Sequence, residues 1–287
     1  MRRAVIDIGT NTVKLLVADV QNGQVTPVVS KDQMTRLGEG VNRTKHLSRA
    51  AVARTIDAIR HFASDAKDLG AADVLALTTS AARDAANCSE FLGEVRSQCG
   101  LEVEVISGER EAELIFRGVS SDPKWSRRRI LVMDVGGGSS EFILGTADKI
   151  ERCRSLPLGA VRLTEQFHEA GFAGMVEFLR REFHRALADY HVEGWKLIGT
   201  GGTGICLARI GHGNADHVTL TQDELRGLLA TLHGMTLEER RQIPGLPPDR
   251  ADIIVAGAAV YVFAMEALHA HELTTSVRNL RYGALLE

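Results

Sequence analysis

Aromatic side chains are scarce: 9 Phe, 3 Tyr and 2 Trp make up 5% of the 287 residues. A core short of rings is built from small aliphatics, which suits close packing of helices on sheets. Neither sign of charge dominates. The 34 Lys and Arg stand against 37 Asp and Glu, for a net charge of −3. No global basic field draws the chain to nucleic acid, and no nucleic-acid partner is expected. Long apolar runs are missing too; no stretch reaches the roughly 18 residues of a spanning helix. After Met1-Arg2-Arg3, Asp7 cuts the first apolar run too early for a signal peptide, so no membrane partner is expected. The four cysteines, Cys88, Cys99, Cys153 and Cys206, form no C-x-x-C pair. They read as reduced packing residues of a cytoplasmic protein. The 10 His show no metal-ligand spacing, and H-E-x-x-H, G-x-S-x-G and a P-loop ending in G-K-[ST] are absent.

What is present is a globular composition, 44% apolar and 25% charged, at a length that suggests two domains or one large one. A β-meander is predicted first, with strands at Arg3–Ile8, Val13–Val20 and Gln24–Ser30 turned at Gln21-Asn22-Gly23. A helix over Leu47–Leu69 follows, capped at Ser48 and stopped at Gly70. Strands at Val74–Leu77 and Glu102–Ile106 and a helix over Glu109–Val119 precede a boundary at Asp122-Pro123-Lys124-Trp125-Ser126. The pattern then restarts with strands at Arg129–Asp134, Glu141–Gly145 and Lys149–Leu156, and later Lys196–Ile198 and Thr274–Ser276. A long helix is predicted over Arg250–Leu268. Val5–Thr12 lines up with Val132–Ser139: apolar strand, Asp, apolar, Gly, small polar turn, second strand. The chain reads as a duplication, residues 1–122 and 123–287, with the last helix a candidate to pack back on the first lobe. Two similar lobes facing one cleft are the expectation.

The turns suit phosphate. Glycine lets backbone N–H groups approach phosphate oxygens. Thr10, Thr12, Ser139 and Ser140 add hydroxyls, and Asp7 and Asp134 can hold Mg²⁺. Two ordinary β-hairpins are the alternative. Gly199-Thr200-Gly201-Gly202-Thr203-Gly204 matches G-x-G-x-x-G, but Thr221–Glu224 downstream looks like a capping box and no acidic strand end follows. A phosphate-facing loop is the preferred reading over a nicotinamide site. Glu141 lies just past the second turn. Glu109, Glu111 and Glu113 open a helix, where solvated acids at the positive end of the dipole are the plain alternative. Arg83 can reach an anion bidentately or pair with a neighbouring acid.

Seven segments together resemble the exopolyphosphatase / guanosine pentaphosphate phosphohydrolase (Ppx/GppA) family. They are VIDIGTNTVKLLV (Val5–Val17), TSAARDAAN (Thr79–Asn87), ISGEREAE (Ile106–Glu113), LVMDVGGGSSE (Leu131–Glu141), LPLGAVRLTE (Leu156–Glu165), Gly199–Gly204 and SVRNLRYG (Ser276–Gly283). Tyr282 stands where the family usually has Glu, and the expectation is a short form without the long C-terminal HD-like extension of larger members. The resemblance implies an α/β protein of the actin-like, sugar-kinase-like ATPase fold, two ribonuclease H-like domains around a central cleft. It implies Mg²⁺-dependent hydrolysis of a terminal phosphoanhydride, with Mn²⁺ as a substitute, on inorganic polyphosphate or, alternatively, pppGpp. A small-molecule kinase of the same fold and a catalytically silent nucleotide-binding protein are the remaining alternatives. By match, Glu111 is the general base and Glu141 the second catalytic carboxylate. Asp7, Asp134 and Glu141 are metal-side. Gly9, Thr10, Asn11, Thr12, Gly136, Gly137, Gly138 and Ser139 bind phosphate, with Arg83 clamping charge. Oligomeric state stays open, a homodimer among the options.

Overall fold

The computed structural model describes residues 1–190, 193–215 and 217–287. It divides into two units, Met1–Pro123 with Arg278–Glu287, and Lys124–Val277.

The first unit is built on strands β1 (Arg2–Ile8), β2 (Thr12–Gln21), β3 (Gln24–Met34), β4 (Val74–Thr78) and β5 (Val103–Val105). Their order is β3-β2-β1-β4-β5. The first three are antiparallel neighbours, and β4 and β5 join in parallel. Asn22 and Gly23 both take positive φ, 51° and 72°, the geometry a two-residue hairpin turn with right-handed strand twist requires. The helix Arg49–Asp68 starts where Ser48 Oγ accepts the Ala51 N–H at 3.2 Å. Its buried Val52, Ile56, Ile59 and Phe62 recur at helical spacing and pack in one cluster with Ile6, Ile8, Val13 and Leu15 of the sheet. The C-terminal helix Leu280–Leu285 lies against the helix Gly108–Ser120 at backbone distance: a Cβ on Gly283 would overlap the Leu114 carbonyl.

The second unit carries β6 (Ile130–Val135), β7 (Ser140–Thr146), β8 (Lys149–Leu156), β9 (Lys196–Thr200), β10 (Thr219–Thr221) and β11 (Glu272–Thr275), in the order β10-β11-β9-β6-β7-β8. Without β10 this repeats the first sheet: three antiparallel strands, then two parallel ones. The duplication read in the sequence is therefore one of topology. The apolar helix Ile254–Ala267 is buried on nearly every side, Tyr261 included. It begins later than Arg250, because Pro247-Pro248 shape a tight 3-10 turn whose Arg250 N–H bonds Pro247 O at 2.9 Å. The expected capping box forms at Thr221 and Glu224, and a second forms at Thr236 and Glu239. Among the described residues no helix is long and apolar enough to cross a membrane.

Candidate active site

In the first unit the β1–β2 turn closes when Gly9 N–H donates to Thr12 O at 3.1 Å. The segment after β3 backs this turn. Gly38 N–H donates to Thr10 O at 2.8 Å, and the N–H groups of Thr35 and Arg36 donate to Asn11 O at 3.1 and 3.0 Å. The carbonyls of Thr10 and Asn11 are thus committed to the back of the turn. The N–H groups of Thr10 and Asn11 donate to no protein acceptor among the described residues. Asn11 Nδ2 is buried without a partner as well. Successive uncommitted N–H groups make an anion-binding concavity. Asp7, 8% exposed, stands opposite Lys14 in the β1–β2 register, with 4.0 Å between Oδ2 and Nζ. Beneath the same strands lies the buried Arg281, whose Nη1 donates to Leu15 O at 2.8 Å and Ser30 Oγ at 3.2 Å. Burial lowers its pKa from the usual guanidinium value, and Asp7 first, then Tyr282 and Asp32, work against that.

The helix start at Ser107 separates three neighbouring acids. Ser107 Oγ caps by accepting the Arg110 N–H at 3.1 Å. Glu109 and Glu113 are exposed. Hydrogen bonds from its own N–H and then from the Ser107 hydroxyl hold Glu109 below the usual carboxylate range. Glu113 pairs with Arg110 on the surface. Glu111 turns inward and is buried, and its Oε2 accepts from Arg83 Nη1 at 3.0 Å. The same Nη1 donates to Ile106 O at 2.7 Å, which ties Arg83 to the strand end leading into the helix. Arg83 Nε and Nη2 donate to no acceptor among the described residues.

The second unit repeats the arrangement. Gly136 N–H donates to Ser139 O at 3.0 Å. The segment after β8 again takes up the turn's carbonyls. Ala160 N–H bonds Gly136 O at 2.9 Å, Val161 and Arg162 N–H bond Gly137 O at 2.9 and 3.1 Å, and Arg162 Nε bonds Gly138 O at 2.8 Å. Gly137 and Gly138 N–H groups are left without a protein acceptor among the described residues. Asp134 and Glu141 face each other across β6 and β7, and Glu141 is 1% exposed. Glu141 Oε1 accepts from Ser155 Oγ at 2.8 Å. The third glycine segment reaches this corner. Gly201 has φ of +84°, and a Cβ there would overlap Asp134 Oδ1. The Arg250 guanidinium lies over Gly202 in the same way. Burial, and then the Asp134 charge, pushes the Tyr261 hydroxyl well above its usual pKa; it stays protonated and donates to Thr200 O at 2.8 Å.

The sequence reading missed Ser155, Arg250 and the backing segment after β3, and it quoted Leu156–Glu165 and Ser276–Gly283 as family segments without giving the second backing segment or Arg281 a role. Only Leu37-Gly38-Glu39-Gly40 and Leu158-Gly159 carried a glycine signal that could have pointed to the backing segments. For a hard cation the second unit fits best. Mg²⁺ typically takes one or two carboxylates plus water and phosphate oxygens. Asp134 and Glu141 set two carboxylates side by side across β6 and β7, the oxygen ligands such a cation takes, whereas Asp7 faces the Lys14 ammonium. No group of three or more His, Cys, Asp or Glu comes together among the described residues.

Two units of one strand order, each with an aspartate beside a turn of uncommitted N–H groups, define the actin-like, sugar-kinase-like fold built of ribonuclease H-like domains. Within it, the chain belongs to the Ppx/GppA phosphatase family, whose model matches residues 16–287. It is similar to Exopolyphosphatase 1 of Mycobacterium bovis, 36% identical over 302 residues, covering 100% of this chain and 88% of that protein. It is also similar to the guanosine-5'-triphosphate,3'-diphosphate pyrophosphatase of Aeromonas salmonicida, 31% identical over 98% of this chain and 58% of that protein. The crystal structure of an exopolyphosphatase from Cytophaga hutchinsonii superposes with a TM-score of 0.90 at 29% identity, covering 99% of this chain and 96% of that one.

Proposed function

We propose that the protein is an exopolyphosphatase that hydrolyses the terminal phosphoanhydride of inorganic polyphosphate. The observation that carries this reading is the repeated turn in which Thr10 O and Asn11 O, and Gly136 O, Gly137 O and Gly138 O, are bonded by the following segment while two successive N–H groups are left for an anion, in a chain 36% identical along its length to an exopolyphosphatase. The N–H groups of Thr10, Asn11, Gly137 and Gly138 bind phosphate oxygens, with the hydroxyls of Thr12 and Ser139 beside them. Arg83 offers Nε and Nη2 to an anion while Nη1 orients Glu111. Glu111 accepts a proton from water as its oxygen forms the new bond to the terminal phosphorus. The bridging P–O bond breaks, and orthophosphate leaves a chain shorter by one residue. Phosphoryl transfer needs positioning and charge neutralisation more than covalent help. Asp134 and Glu141 fit Mg²⁺ or Mn²⁺, which would neutralise phosphate oxygens when bound. The four unbridged cysteines support a reducing, cytoplasmic setting.

Orthophosphate release from polyphosphate, pppGpp and ATP, with and without EDTA, tests the reading. Release from polyphosphate that EDTA abolishes and Mg²⁺ restores is expected. Release from pppGpp alone would assign the protein to the second activity of the family, and full turnover in EDTA would remove the metal.

A further inference from the structure

We propose that Ser155 is a positioning residue that sets the Glu141 carboxylate for the divalent cation; this rests on the metal reading above. The argument starts from strand register. In the first unit, Asp7, Lys14 and Asp32 lie directly across β1, β2 and β3 from one another. In the second unit, Asp134, Glu141 and Ser155 occupy the same row across β6, β7 and β8. Residues directly opposite share one face of a sheet. The first row alternates acid, base, acid, and its central ammonium is flanked by two carboxylates. The second row replaces the base with an acid and the outer acid with a hydroxyl. Two adjacent carboxylates then remain, with a neutral donor at their side.

Each alternative at position 155 would disturb that balance. An acid there would place three carboxylates in line. A lysine would neutralise Glu141 from within, as Lys14 stands to Asp7, and leave less charge for a cation. Serine donates a hydrogen bond and adds no charge. Its Oγ–H donates to Glu141 Oε1, 2.8 Å away. Glu141 is buried, where a lost donor is not replaced by bulk water. Ser155 is half-buried on an edge strand whose neighbouring Arg154 and Arg152 pair with Asp189. Its hydroxyl bonds the Glu141 carboxylate on the face opposite those arginines.

The test uses the full-length protein without substrate. Mn²⁺ affinity is measured by electron paramagnetic resonance of the free ion for wild type, Ser155→Ala and Ser155→Thr, with thermal melts in parallel. Removing a partner that orients a metal ligand typically weakens metal binding about 10-fold or more. Ser155→Ala is expected to lose about 10-fold in Mn²⁺ affinity with an unchanged melt. Ser155→Thr, which keeps the hydroxyl and suits a strand, is expected to bind as wild type does. Equal Mn²⁺ affinity in Ser155→Ala and wild type would overturn the proposal, as would a loss that appears only with a collapsed melt and is not rescued by Thr. Wild type that binds no Mn²⁺ would overturn both this proposal and the metal reading. Wild type that binds Mn²⁺ with the expected Ser155 effect but spares polyphosphate would leave this proposal standing and remove the substrate assignment alone.

Discussion

Replacing Arg83 with alanine removes two contacts at once, the ion pair with Glu111 at 3.0 Å and the hydrogen bond from Arg83 Nη1 to Ile106 O at 2.7 Å. The two side chains are 23% and 11% exposed, between a surface pair and a buried one. Exposed pairs contribute about 0–1 kcal/mol. Breaking a fully buried pair costs about 3–5 kcal/mol, because the remaining charge is stranded. We therefore expect Arg83→Ala to destabilise folding by about 1–3 kcal/mol. The catalytic effect is separate. Losing a charge-assisted contact and the orientation of the base should lower kcat/KM by roughly 10–150-fold. Glu111→Gln keeps an oxygen for Arg83 to bond but cannot take a proton, so kcat should fall by about 10²–10⁴-fold with substrate binding retained. Urea unfolding and kinetics of both single variants and the double variant complete a cycle. If Arg83 acts through Glu111, the double variant is less impaired than the summed singles by about 0.5–3 kcal/mol. Additivity within about 0.5 kcal/mol, with Arg83→Ala near wild-type kcat/KM, would refute the reasoning and leave Arg83 a structural residue.

Gly283→Ala should destabilise the first unit by about 1–3 kcal/mol or more, because the new methyl meets a backbone carbonyl that no rotamer change can move; a urea midpoint equal to wild type would show that the two helices separate freely. Gly201→Ala combines an unfavourable φ of +84° with overlap onto Asp134 Oδ1, so Mn²⁺ binding and turnover should fall together; intact metal binding in this variant would uncouple the third glycine segment from the acidic pair.

Local physics made much of the fold legible in the sequence. The Asn22-Gly23 turn, the Ser48 cap and the Thr221–Glu224 capping box are each decided within about four residues by φ preference and a nearby hydroxyl or carboxylate. The repeated Asp-x-Gly turns were legible for the same reason, whereas the strand order that the two sheets share was not. Tertiary structure decided the rest. Glu109, Glu111 and Glu113 share one helix start, and composition does not rank them; Glu111 is set apart because Arg83, 28 residues earlier, meets the one acid that faces inward. Ser155 meets Glu141 through the register of β7 and β8, and a shift of one residue would turn it to the other face. Arg250 over Gly202 and Arg281 beneath β2 depend on how distant segments pack. Such contacts are set by the closing of whole sheets and helices, and a side chain's short-range neighbours in sequence carry no record of them.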